Sequence, residues 1–207
     1  MSEQYAYNVK INHDFGFFLD PKHYAPLLSV NDETAVLTKL SLILENFLVV
    51  YIDNVRDPET SKYVYASRKY FAPKLELCVA LGLPVPLADV MSAINSLRNQ
   101  YAHDIQRVMT TEDVDKIERL LSNITPELVN FYDAMNLSSI TPLFVDGIKS
   151  LQFLRELPFA TPDKQRMSAR LVAISYALSN FCAFFLINKL ASKGIFKSTR
   201  VEAADQD

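Results

Sequence analysis

The sequence predicts an all-α protein, a helical bundle with an N-terminal extended arm and additional C-terminal helices. Apolar residues recur at intervals of three and four from about residue 34 to residue 193, which is the spacing of buried helix faces. Only four of the 207 residues are glycine, which is few for a fold whose turns consume glycine. Apolar residues make up 49% of the chain and charged residues 22%, as in ordinary globular proteins that bury a large core.

The first unit, residues 1–33, is predicted to be an arm followed by a wrapping segment. Residues 4–12 alternate between apolar and polar side chains, the pattern of an extended segment with one buried face. We expect this arm to pack on the helical body or to pair across a dimer. Residues 13–31 are rich in aromatic residues and proline, which indicates an irregular path. We expect packing or surface positions for His13 and His23 in this segment.

The second unit, residues 34–137, is predicted to be the helical bundle. Its expected helices cover about residues 34–55, 61–82, 87–102, 111–121 and 126–135. Within the second of these, Pro73 is expected to lie inside a break or to start a fresh turn. Asn31 or Asp32 is a candidate N-cap for the first helix, and Thr110 or Thr111 for the fourth. Gly82 is placed to end the second helix.

The third unit, residues 138–207, is predicted to add two helices, at about 141–157 and 161–193, that pack on the bundle or form a dimer interface. Leu171 to Ile187 contains no charged residue over 17 positions, whereas a membrane span needs about 20 apolar residues. We therefore interpret it as a buried core or interface helix and expect no membrane insertion. A ridge of small residues at four-residue spacing allows close helix contact, formed by Ala169, Ala173 and Ala177.

Composition also bounds the functional classes. The net charge of −3 argues against a broadly basic nucleic-acid-binding surface but leaves room for a local basic groove. Cys78 and Cys182 lie in apolar helical runs, which indicates buried, reduced thiols. We find neither a glycine-rich phosphate loop nor a Cys/His metal-binding spacing, and we expect no cofactor and no metal. Residues 1–11 do not resemble a signal peptide, so a cytoplasmic location is the default expectation.

The residues best suited to chemistry lie at the end of the third predicted helix, where Arg98, Asn99 and His103 occur within six positions. Asn99 and His103 are four residues apart and share a helix face, and the long Arg98 side chain can reach the same region. A neutral imidazole can take a proton from a ribose 2′-hydroxyl near neutral pH. A guanidinium can hold the phosphate that the resulting alkoxide attacks, and Asn99 could orient the base or bind the phosphate.

The same three residues also have structural interpretations. Arg98 could pair with Glu45 or Glu76, Asn99 could bridge helices, and His103 could accept a hydrogen bond at a helix end. Tyr101 continues the apolar stripe of its helix, which indicates a core residue rather than a catalytic phenol.

The Arg-Asn-x-x-x-His pattern near the end of a helix resembles the Arg-x4-His signature of the HEPN superfamily (higher eukaryotes and prokaryotes nucleotide-binding). Its helical context is similar as well, and the resemblance covers about residues 34–124; the matching segments are 45–48, 74–83 and 111–114. The resemblance implies a metal-independent endoribonuclease, often a toxin or phage-defence effector, whose two motifs face one cleft in a homodimer. The roles of Arg98, Asn99 and His103 carry over individually.

Three hypotheses follow. The first is an RNA-cleaving HEPN enzyme with an RNA substrate and an antitoxin or regulatory partner. The second is a catalytically silent HEPN-like regulatory or binding protein, similar to mannitol operon repressors. The third is a helical assembly protein whose C-terminal section is the functional surface. An exposed Arg98-Asn99-His103 cleft lined by further basic residues favours the first, and burial of these residues in ion pairs favours the others.

Overall fold

The computed structural model of the protein describes residues 16–64, 70–104, 106–125, 128 and 163–193. Helices dominate these residues and no strand occurs among them, which confirms the all-α prediction. The predicted arm at 4–12 and the helix predicted at 141–157 lie outside the described residues, as does nearly all of that predicted at 126–135. The helices are α1 (Gly16–Leu19), α2 (Glu33–Val55), α3 (Phe71–Ala80), α4 (Val85–His103), α5 (Thr111–Ser122) and α6 (Asp163–Ser192).

Helix α2 is the centre of the core and contacts α1, α3, α4 and α6. It begins where predicted, because the Asp32 side chain accepts a hydrogen bond of 3.0 Å from the Ala35 backbone N–H. Of the two candidate caps, Asp32 is therefore the one used. The face of α2 that is turned inward is almost entirely apolar and includes Leu37, Leu40, Leu44, Phe47, Leu48 and Tyr51.

The helix predicted at 61–82 is wrong at residues 61–64 and 70, which are not α-helical, whereas residues 65–69 lie outside the described residues. Residues Pro58–Lys62 form a short 3₁₀ helix, and α3 begins only at Phe71. Pro73 lies in the first turn of α3, where a backbone N–H has no acceptor within the helix. A proline, which lacks that N–H, is therefore tolerated there and marks the start of the helix. Gly82 ends α3 as predicted: it has φ +89°, and the Leu83 backbone N–H donates to the Cys78 carbonyl over 2.8 Å.

Helices α4 and α5 form a pair beside α2. Helix α4 covers two residues more at its start and one more at its end than predicted. Helix α5 is capped by Thr110, whose hydroxyl accepts from the Asp113 backbone N–H while the Asp113 carboxylate accepts from the Thr110 backbone N–H. This reciprocal pair of hydrogen bonds satisfies two backbone N–H donors at the positive end of the helix.

Helix α6 packs against α2, α4 and α5, so its charge-free stretch lies inside the protein. The alanine ridge is buried, at Ala169, Ala173 and Ala177. Arg170 is the polar link from α6 to α5, with its guanidinium 2.7 Å from an Asp115 oxygen and 2.5 Å from a Glu118 oxygen. Buried in this way, α6 belongs to the same core as α2 although it is distant from it in the sequence.

Residues 16–32 pack against α2 and α6 through α1 and two 3₁₀ turns. The Tyr24 hydroxyl donates to the Phe18 carbonyl over 2.8 Å and lies 2.7 Å from the Ser179 hydroxyl of α6. Cys78 and Cys182 are both buried and unpaired, as the sequence predicts.

Two helices in the described part of the chain are long and apolar enough to cross a membrane, namely Glu33–Val55 and Met167–Leu190. Their most apolar windows are 61% and 67% buried inside the protein. Core helices of soluble proteins meet the same criteria of length and composition, so this finding is weak evidence for membrane insertion.

Candidate functional site

Helix α4 is oriented by its apolar stripe, which faces the core. Leu87, Val90, Met91, Ile94 and Leu97 are at most 4% exposed. With this stripe turned inward, the opposite face of the helix must meet solvent, because side chains on a helix are distributed around the axis at 3.6 residues per turn.

Arg98, Asn99 and His103 all lie on the solvent-accessible side of α4, and all three are exposed. The Arg98 guanidinium donates a hydrogen bond from Nη1 to the Asn99 Oδ1 over 2.9 Å. The structure thus brings the guanidinium and the carboxamide into direct contact. His103 is the last residue of α4, about one turn beyond Asn99.

Arg98 and Asn99 also line a groove of about 230 Å³ between α2, the start of α3 and α4. Asn95, one turn before Asn99, completes the α4 wall. The other lining residues come from α2 and from the first residues of α3, and they are Thr38, Ser41, Leu42, Glu45, Tyr70, Phe71 and Ala72. His103 is not among the lining residues, so it lies beyond the end of the groove rather than in it.

The carboxylate that lines the groove, that of Glu45, is paired with a buried lysine. Glu45 Oε1 accepts a hydrogen bond of 2.6 Å from Lys74 Nζ, and Lys74 is only 5% exposed. Within the described residues, neither Glu45 nor Glu76 forms an ion pair with Arg98. The guanidinium therefore remains available to a ligand at the surface.

Tyr101 is only 4% exposed, which confirms the prediction that it is a core residue. Burial, followed by the hydrogen bond that its hydroxyl donates to Glu33, raises the pKa of Tyr101 above that of a free phenol. Its phenol thus stays protonated at neutral pH, which suits a structural hydrogen bond and not a catalytic base.

Sequence reasoning missed several residues of the groove. Thr38, Ser41 and Glu45 are polar residues at spacings of three and four in α2, a signal that could have identified a shared polar face. Tyr70 precedes α3 and is 86% exposed, and no local pattern in the sequence indicates that it lines a groove with residues of α4.

No group of three or more His, Cys, Asp or Glu residues in the described part of the chain is arranged to hold a metal ion. The groups that the site does offer are a guanidinium, two side-chain amides, three hydroxyls, a carboxylate and, beyond the groove, an imidazole. A guanidinium beside an amide is suited to binding a phosphate, and an exposed imidazole is suited to proton transfer.

Comparisons of the chain with protein families, with curated proteins and with solved structures find no match.

Proposed function

We propose that this protein is a metal-independent endoribonuclease of HEPN type that cuts single-stranded RNA at the exposed end of α4. The observation that carries the proposal is the joint exposure of Arg98, Asn99 and His103 at the end of one helix. If these residues had only a structural role, we would expect Arg98 to form an ion pair with an acidic neighbour. Its hydrogen bond within the described residues goes instead to Asn99.

The chemistry follows from the side chains. His103, as a neutral imidazole, takes the proton from a ribose 2′-hydroxyl, and the resulting alkoxide attacks the adjacent phosphorus. The bond from phosphorus to the 5′-oxygen of the next nucleotide breaks, and that oxygen takes a proton from water. Arg98 stabilises the charge on the phosphate oxygens, and Asn99 holds the guanidinium in place. The products are a 2′,3′-cyclic phosphate and a 5′-hydroxyl.

A second candidate is a catalytically silent HEPN-like protein that binds RNA or a regulatory partner. One observation favours it: Arg98 is the only basic residue that lines the groove among the described residues, and His103 lies outside that groove. Binding requires the groove alone, whereas cleavage also requires His103 to reach the ribose next to the bound phosphate.

Cleavage of a labelled RNA by the purified protein separates the two candidates. We expect wild type to cut and Arg98→Ala and His103→Ala each to lose cleavage by at least about a hundredfold, since general base catalysis alone contributes that much. Arg119→Ala and His23→Ala are matched controls, because both residues lie outside the groove, and they should cut like wild type. Binding without cleavage by wild type would support the silent protein instead.

The cellular role that we propose is that of a cytoplasmic toxin or phage-defence effector held in check by an antitoxin or regulatory protein. Expression of wild type should then arrest growth and degrade RNA, whereas His103→Ala should do neither. Growth arrest that persists in His103→Ala would show that the toxicity has another origin.

A further inference from the structure

The wall of the groove formed by α2 carries three polar side chains on one face. Thr38, Ser41 and Glu45 follow each other at spacings of three and four and all line the groove. Ser41 is 6% exposed, and its Oγ is buried without a hydrogen-bond partner in the described residues. A buried hydroxyl without a partner lowers stability, so its position at the wall of a groove points to a ligand that completes its hydrogen bonding.

Glu45 is positioned to accept hydrogen bonds from such a ligand. Lys74, which is almost fully buried, holds Oε1 at 2.6 Å, and Oε2 has no hydrogen-bond partner in the described part of the chain. An ionised carboxylate only accepts hydrogen bonds, so the matching ligand must present N–H or O–H donors. Because Lys74 compensates the negative charge of Glu45, the part of the ligand that binds Glu45 can be neutral.

The mouth of the groove is apolar and aromatic. Tyr70 is 86% exposed and Leu42 is 55% exposed, and both line the groove. An exposed aromatic ring is a platform on which a nucleobase can stack. Arg98 and Asn99 lie across from α2, where they can hold the phosphate of the same nucleotide.

We propose that this groove is a base-recognition site for guanine, with Glu45 reading the base, Tyr70 stacking on it and Arg98 binding its phosphate. Guanine matches this site because it is the RNA base that presents two adjacent N–H donors on its pairing edge. A carboxylate can accept both hydrogen bonds together. The Ser41 hydroxyl supplies a donor for the guanine carbonyl beside them. The inference rests on the proposed function, in that the guanine belongs to the RNA that is cut.

The test measures binding of fluorescent hexanucleotides to His103→Ala, a background that cannot cut. The probes are a uridine hexamer and three versions in which one uridine is replaced by guanosine, adenosine or cytidine. We expect the guanosine probe to bind about tenfold more tightly than the others, the discrimination typical of a bidentate base contact. Added Glu45→Gln should reduce this preference to less than about twofold, because the amide offers one acceptor instead of two.

Two further substitutions keep the proposal testable if Glu45→Gln disturbs the fold through Lys74. Ser41→Ala removes a buried hydroxyl without a partner, so it should maintain or raise stability while it weakens binding of the guanosine probe. Tyr70→Ala should weaken binding of every probe by about tenfold through lost stacking. Tyr63→Ala is its matched control, since Tyr63 is also exposed but does not line the groove.

Each result decides between the two proposals. Equal affinity for the four probes, or no binding, would overturn guanine recognition even if wild type cuts RNA. A guanosine preference that depends on Glu45, in a protein whose wild type never cuts, would support the recognition site and overturn the ribonuclease. If wild type does cut, sequencing of the fragment ends should place guanosine next to the cleaved bond.

Discussion

The Tyr101 hydroxyl donates a hydrogen bond to Glu33 Oε2 over 2.8 Å, which joins the last turn of α4 to the first turn of α2. The same carboxylate oxygen accepts the Met109 backbone N–H, also over 2.8 Å. A single carboxylate therefore ties the helix that carries Arg98 and His103 both to the central helix and to the loop that follows.

Tyr101→Phe should lower the free energy of unfolding by about 1.5–3 kcal/mol, the usual worth of a hydrogen bond to a charged group. The loss arises because Glu33 Oε2 loses one of the two donors that it has in the described residues. Urea denaturation measures the change, with Tyr63→Phe as the control at an exposed tyrosine. Equal effects of the two substitutions would show that the bond to Glu33 adds nothing to stability.

Thr110→Ala should destabilise the protein by about 1 kcal/mol, because it removes the side-chain cap of α5. The neighbouring Thr111→Ala should change stability by less than about 0.5 kcal/mol, as expected for a surface substitution away from a cap. Thermal denaturation of both variants measures the difference. A larger loss for Thr111→Ala would mean that the cap lies one residue later.

Cys78 and Cys182 should be inert towards an aromatic disulfide reagent in the native protein and react fully after unfolding in guanidinium. Burial raises the pKa of both thiols, so almost no thiolate is present at neutral pH. The number of thiols titrated before and after denaturant provides the measurement. Rapid reaction of either thiol in the native protein would contradict its burial in the core.

The cleavage reaction should depend on the three site residues in a graded way. Asn99→Ala should retain more cleavage than Arg98→Ala or His103→Ala, because Asn99 positions the guanidinium and does not itself move a proton.

Cleavage should persist in a chelator and fall at acid pH, since a protonated imidazole cannot accept the 2′-hydroxyl proton. DNA should resist because it lacks that hydroxyl. Loss of activity in the chelator would point to a metal-dependent reaction.

The protein should be a homodimer in which the motif ends of two α4 helices approach each other. The apolar side chains of α6 are buried against its own chain, so α6 itself offers little apolar surface for pairing. A two-fold axis near α4 would bring two copies of His103 towards one cleft. Sedimentation velocity at micromolar concentration measures the mass, and a monomer throughout would argue against a shared active site.

Most helix ends could be predicted from the sequence, since they depend on residues within about one turn of each other. Asp32 and Thr110 cap the helices that follow them, and Gly82 ends α3 in the left-handed conformation that glycine adopts easily. The second helix is expected to begin near residue 61, because apolar spacing continues through residues 61–70, whereas α3 begins at Phe71. Of the two possibilities predicted for Pro73, a break or a fresh turn, the structure shows the fresh turn. The exposure of the motif followed from the apolar stripe of α4, which leaves the opposite face to solvent.

Which polar groups meet across helices was decided only by the tertiary structure. Glu45 could have met Arg98 or Lys74, and the packing of α3 against α2 placed Lys74 beneath it. Tyr70 became part of the groove because the residues at the start of α3 line it together with residues of α4. Caps and periodicity act along the chain, whereas the rotation and crossing of packed helices depend on how side chains from distant segments fit together. The sequence by itself therefore determined the helices and the exposed motif, and the tertiary structure determined the groove beside it.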